Sequence, residues 1–183
     1  TQYVRLPGSE ILKKRYKSPF PALNVFRREE PVAMDTVYSD VPAIDDGSTC
    51  AQLYVGTKST VADVYGMKSE KQLVNTLEDN IRERGAMDKL IGDCAKAEMS
   101  IRVKQIVRAL CIQDWYSEPY HQNQNFAENR YGTVKATANK VMNLSGAPAN
   151  TWLLAMMYVC LLLNHLASAA LGWQTPEQVL TGR

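Results

Sequence analysis

Histidine is almost missing from these 183 residues: His121 and His165 are the only two, and the four cysteines, Cys50, Cys94, Cys111 and Cys160, are scattered with no CxxC pair. That excludes zinc-finger spacing and reads as reduced intracellular thiols rather than a disulfide framework. Charge of one sign is missing as well. Lys and Arg number 21 against 19 Asp and Glu, and the net +2 is too small to argue for nucleic acid by itself. No internal repeat or low-complexity tract appears. Thr1 opens directly into mixed polar sequence with no secretory leader, which reads as a segment of something longer that is not secreted. An uninterrupted apolar stretch long enough for a bilayer is also lacking. The apolar run from Trp152 to Leu163 meets Asn164-His165 before resuming toward Leu171, with no flanking Lys or Arg. A membrane span needs about 20 apolar residues and charged flanks, so a buried or dimer-interface helix is the better reading.

What is there is ordinary for a globular chain, 45% hydrophobic and 22% charged, and enough for one domain with a real core plus an arm. Seven basic residues (Arg5, Lys13, Lys14, Arg15, Lys17, Arg27, Arg28) face Glu10, Glu29 and Glu30 at the start, so residues 1–34 carry +4 and the rest about −2. Residues 1–31 read as a basic arm or linker and residues 32–183 as the folded core. A basic arm is usually just solvated.

Three strands are expected first: Ala33 to Tyr38, Thr49 to Val55 and Thr60 to Tyr65, separated by the turn signals Asp45-Asp46-Gly47 and Gly56-Thr57-Lys58-Ser59. Short connections imply an antiparallel meander. Ser69 with Gln72 reads as a capping box, opening a helix with Leu73, Val74, Leu77 and Ile81 on one face and Gly85 as its stop. A fourth strand, Lys89 to Gly92, delivers Asp93. A helix from about Ser100 to Leu110 and a fifth strand, Ile112 to Tyr116, follow. A helix from about Gln122 or Asn125 to Asn143, an apolar helix from Trp152 to Leu171, and a last turn from Thr175-Pro176-Glu177 complete the chain. Strands separated by helices pair in parallel, with helices on both faces. The expected fold is α/β: a five-stranded mixed sheet, three antiparallel strands then two parallel, in ribonuclease-H-like topology. Fold alone does not give function.

Three acids stand out on these elements: Asp35 in Val32-Ala33-Met34-Asp35-Thr36-Val37, Asp93 after Leu90-Ile91-Gly92, and Glu128 inside a predicted helix after an amide-rich loop. Asp40 is the rival to Asp35, which is preferred because apolar residues flank it while Asp40 leads into the Pro42 turn. Glu98 reads as a surface residue, His121 as a loop hydrogen-bonder, and His165 as a satisfied core or interface histidine.

With the acids placed, Pro119-Tyr120, the His121 to Asn125 loop, Phe126 and Ala127-Glu128 resemble the catalytic core of retrotransposon and retroviral integrases, the DD-35-E family. The resemblance covers about Val32 to Arg183 and extends to the closing Thr175-Pro176-Glu177…Gly182. This chain departs in three ways: 34 residues (94 to 127) separate Asp93 from Glu128, Cys94-Ala95 stands where the family has Asn-Gly, and no His-His-Cys-Cys module is present. The resemblance implies that Asp35, Asp93 and Glu128 are catalytic and bind metal. Phosphodiester transfer suits two divalent ions about 3.5–4 Å apart, Mg²⁺ or Mn²⁺, with Asp35 bridging both, Asp93 on one and Glu128 on the other. Lys135, seven after Glu128 and so on its helix face, is placed for a DNA phosphate, and Tyr120, Gln124 and Asn125 for bases or sugars.

The activity implied is a polynucleotidyl transferase that processes element DNA ends and joins them to target DNA. It would be cut from a Gag-Pol type polyprotein, act as a homo-oligomer with no membrane association, and work in the nucleus after a cytoplasmic stage. The rival readings are a catalytically decayed copy with residual DNA binding, another ribonuclease-H-like nuclease or transposase, and a membrane-anchored protein.

Overall fold

The computed structural model describes residues 25–92, 100–116 and 126–182. Five strands form one sheet: β1 (Arg27–Tyr38), β2 (Cys50–Gly56), β3 (Ala62–Met67), β4 (Ala86–Gly92) and β5 (Gln113–Tyr116), in the order β3-β2-β1-β4-β5. β1, β2 and β3 pair antiparallel, whereas β1–β4 and β4–β5 are parallel. The connection lengths explain this. The turns after β1 and β2 only reverse the chain, whereas α1 (Leu73–Arg84) and α2 (Ile101–Ala109) each carry it back to the starting edge of the sheet.

The two faces of the sheet are covered separately. Val32, Met34 and Tyr54 pack with Leu73, Leu77, Val103 and Val107 of α1 and α2. Ala33, Val37 and Leu53 pack with Val134 and Ala138 of α3 (Phe126–Ser145) and with Leu153 and Val159 of α4 (Trp152–His165). A short α5 (Pro176–Thr181) closes the described chain. No helix of the described residues is long and apolar enough to cross a membrane.

β1 starts at Arg27, six residues before the apolar pattern predicts. Pro31 lacks the N–H a central strand needs, and the β1–β4 register shifts between Arg28 and Pro31, so an irregularity accommodates it and pairing continues on both sides. Half of the extra residues, Arg28, Glu30 and Val32, are buried, while Glu29 between them is exposed. Arg28 and Glu30 alternate inward with Val32 and Met34, and Arg28 Nε donates to Glu30 Oε1 at 2.6 Å. Glu30 also accepts from the backbone N–H groups of Lys58 (3.0 Å) and Ser59 (2.8 Å) and from the Ser59 hydroxyl (2.7 Å), which ties β1 to the β2–β3 turn. Gly56 is required there, because a Cβ would collide with Arg28 Nη2, Glu30 Oε1 and Ser59 Oγ.

Helix ends depart from expectation at three places. Ser69 makes no side-chain cap; the chain enters α1 through one 3-10 turn, Glu70–Gln72, and the Gln72 side chain accepts from the Lys68 N–H (2.7 Å). The reciprocal capping box forms instead at Thr175 and Gln178, opening α5. Third, α4 ends at His165 rather than Leu171. Leu166 is extended (ψ 131°), and a bridge between Ser168 and Gln174 folds the chain back. His165 is exposed, not a core histidine; its Nδ1 lies 2.9 Å from the Leu161 carbonyl. Gly85 does stop α1, at φ +93°.

The buried residue at the end of α4 is Asn164. Its amide takes the N–H of Ala62 and donates to the Ala62 carbonyl, both at 2.9 Å, so a side chain stands in for the missing neighbour strand at the outer edge of β3. Asn164→Ala leaves both groups buried without partners. The expected loss is about 1–3 kcal/mol of stability, read as a lower urea midpoint at unchanged slope.

α5 is held by a partly buried arginine. Arg84, in the last turn of α1, grips Asp63 of β3 through two nitrogens (2.9 and 2.8 Å) and reaches Glu177 with the third (3.0 Å). The fork geometry of guanidinium against carboxylate makes this a directional clamp.

Candidate active site

Asp35 lies on β1, the middle strand, in register with Leu53 of β2, and is half-buried. Side chains alternate across a strand, so Asp35 shares its face with Ala33 and Val37, the face that carries α3 and α4. Asp40 lies past Tyr38, the last residue of β1, and is exposed in the following loop.

The neighbouring parallel strand β4 pairs Val32 with Leu90 and Ala33 with Ile91, and Ile91 packs against the same cluster as Ala33 and Val37. β4 is described through Gly92. Asp93, the next residue in the chain, lies outside the described residues, as do Glu98, Tyr120, His121, Gln124 and Asn125.

α3 begins at Phe126, so Glu128 lies in its first turn, although its side chain is outside the described residues. The helix is seated by Val134 and Ala138, buried against the sheet, and by the half-buried Tyr131. Lys135 is exposed one turn beyond Tyr131, and its ammonium lies 5.7 Å from the Tyr131 ring centroid, a cation–π distance. Positions 128, 131 and 135 follow i, i+3, i+7 spacing along one stripe. Tyr131 was overlooked in the sequence, although that spacing marks it as the residue between Glu128 and Lys135. Arg130 sits two residues after Glu128 and so on the far side of the helix. Its Nε is buried without a hydrogen-bond partner among the described residues, and burial lowers its pKa. Near it, burial first of all pushes the Cys160 thiol up to about 12, which makes it an inert core residue.

Among the described residues no three His, Cys, Asp or Glu side chains come together in a group that could hold a metal ion. Of the sequence-predicted site, then, the structure describes the side chains of Asp35 and Lys135 and the helix that carries Glu128.

No family model matches the chain, and no curated protein matches it in sequence. Solved structures do match in shape. The magnesium-bound catalytic core domain of HTLV-2 integrase, in its dimeric form, superposes with a TM-score of 0.63 at 16% identity, covering 84% of this chain and 96% of that one. The catalytic core domain of BIV integrase gives 0.65 at 17% identity, covering 84% and 94%. A chain of the simian T-cell lymphotropic virus intasome, solved with a PP2A regulatory subunit, gives 0.69 at 15% identity over 83% of this chain, which spans only 54% of that one. What the chain shares with these retroviral integrase catalytic cores is their α/β fold, with its mixed five-stranded sheet in ribonuclease-H-like topology.

Proposed function

We propose that the chain is an integrase catalytic core that cuts element DNA ends and joins them to target DNA. One observation carries the reading. Asp35 stands on the central strand, on the α3 face, and the adjacent parallel strand places Ile91 beside Ala33. Asp93 is two residues past Ile91, as Asp35 is two residues past Ala33. If the β4 pleat ran on one residue past Gly92, Asp93 would share the face of Asp35. Glu128, in the first turn of α3, would complete the set.

Three carboxylates on rigid elements are a hard-oxygen donor set that fits Mg²⁺ or Mn²⁺. Asp35, Asp93 and Glu128 would hold the ions, two by the reasoning above. When bound, such ions neutralise charge on the attacking and leaving oxygens of a phosphodiester. In the first step a water oxygen bonds to phosphorus and the 3′ oxygen leaves. In the second, that 3′ hydroxyl attacks a target phosphate and another 3′ oxygen leaves. Lys135 orients a DNA phosphate, and Tyr120, Gln124 and Asn125 contact bases or sugars.

The remaining expectations follow the same reading: release from a Gag-Pol type polyprotein, and a cytoplasmic stage before nuclear action. Self-association is supported by an apolar row along the outside of α4, where Leu154, Tyr158 and Leu161 are exposed.

The experiment is metal-dependent strand transfer on branched DNA oligonucleotides, comparing wild type with Glu128→Gln. Activity that requires metal and disappears in the variant supports the assignment. Activity retained by Glu128→Gln removes Glu128 from it, and Glu98 becomes the next acid to test. If neither protein reacts or binds Mn²⁺, the copy is catalytically decayed.

A further inference from the structure

The open edge of the sheet lies at β3, on the far side of β1 from β4. Ala62 turns its N–H and C=O away from β2, where Asn164 takes both. Outward-facing residues alternate along an antiparallel strand, so Val64 and Gly66 present their N–H and C=O groups in the same direction. Among the described residues no group outside the sheet bonds to them.

These two residues form the floor of a cleft of about 380 Å³ between α1 and α4. Its two walls differ in chemistry. The α4 wall is apolar, Leu153 and Met157, and Met157 is 46% exposed. The α1 wall is polar, with Asn75, Thr76 and Asp79, and Asp45 and Asp46 stand at the mouth. Asp79 pairs with Arg82 at 3.1 Å at the surface, and Lys68 is the one cation among the described residues lining the cleft. Asp46 accepts from the Ser48 N–H (2.8 Å) and hydroxyl (2.7 Å), bonds that favour its charged form.

We propose that β3 is a docking edge for an extended peptide segment of a partner protein in which apolar residues alternate with Lys or Arg. An added strand places successive side chains on opposite faces. Apolar positions then lie against Leu153 and Met157, while basic positions meet Asp79 on the α1 side. The backbone bonds to Val64 and Gly66 supply affinity that is independent of sequence, and the two unlike walls supply the selection. A second copy presenting the same cleft is disfavoured, because its carboxylates would face their own equivalents.

The test uses the whole chain and a synthetic hexapeptide of alternating Lys and Val, blocked at both ends. Amide shifts and hydrogen-exchange protection at Val64 and Gly66 are expected to saturate with this peptide. The Glu–Val analogue and a version N-methylated on the paired edge are expected not to bind. Asp79→Asn, at a half-buried position of the α1 wall, should weaken binding roughly threefold. Binding that leaves the Val64 and Gly66 amides unchanged would overturn the proposal, as would equal binding of the Glu–Val peptide. Protection that grows with protein concentration in the absence of peptide would assign the edge to a second copy and would also overturn it.

Discussion

Asp35→Asn is expected to lower metal-dependent strand transfer by a factor of about 10² to 10³, and Asp40→Asn to leave it within a factor of about three. The large effect follows from where Asp35 sits. The middle strand is held on both sides by ladder bonds, to β2 at Leu53 and to β4 through Ala33 and Ile91. A carboxylate fixed there would hold a metal ion without reorganisation, and losing one preorganised charge-stabilising group commonly costs 10² to 10³ in rate (about 3–4 kcal/mol). The substitution removes a charge and one metal-binding oxygen while keeping the shape, so the urea midpoint should stay close to wild type. Asp40 lies beyond the strand in an exposed loop and lacks that fixed geometry. Equal losses in the two variants would remove Asp35 from the role given to it.

The second large effect is on stability. Arg28→Met is expected to cost about 3–5 kcal/mol, the scale for breaking a buried ion pair from one side. Arg28 and Glu30 are 2% and 3% exposed, so neither charge has water to fall back on. In wild type, burial pushes the Glu30 carboxyl up, but Arg28 and the Ser59 N–H and hydroxyl together outweigh it and hold the pKa below the ordinary 4.5. A depressed folded-state pKa means that the unfolded chain takes up the proton first. The contribution of Glu30 is therefore complete above pH 4.5 and is lost as the pH falls through the lower folded value. In Arg28→Met the attraction that opposes burial is gone, so the acid-side loss should flatten or reverse. Urea unfolding of both proteins between about pH 3 and 7 measures both effects.

The order of strands and helices was legible because each element carries a plain signal. Leu73, Val74, Leu77 and Ile81 repeat at helical spacing, and short turns between the first three strands force them antiparallel. The start of β1 was not legible, because Arg27-Arg28-Glu29-Glu30-Pro31 looks like a charged linker ending in a strand breaker. The pattern was nevertheless present at period two: Arg28, Glu30, Val32 and Met34 all point inward, and the polar members form an ion pair at 2.6 Å. The end of α4 was hidden by composition. Apolar residues continue past His165, yet Asn164 must face β3 to replace a missing strand, and the helix stops with it. Glu177 was read only as part of a closing motif, because its partner Arg84 is far away in sequence. Of the candidate site, the strand position of Asp35 and the helix positions of Glu128 and Lys135 were legible from local pattern, whereas the roles given to them and to Asp93 come from the resemblance.

The proposed convergence of three acids on one face is tested most directly by Mn²⁺ binding to the whole chain, followed by electron paramagnetic resonance of free ion in wild type, Asp35→Asn, Asp93→Asn and Glu128→Gln. The account predicts saturable binding by wild type and a loss of at least tenfold in affinity in each variant, with folding unchanged by circular dichroism. Wild-type affinity retained in Asp35→Asn or Asp93→Asn would contradict a shared site on the β1–β4 face.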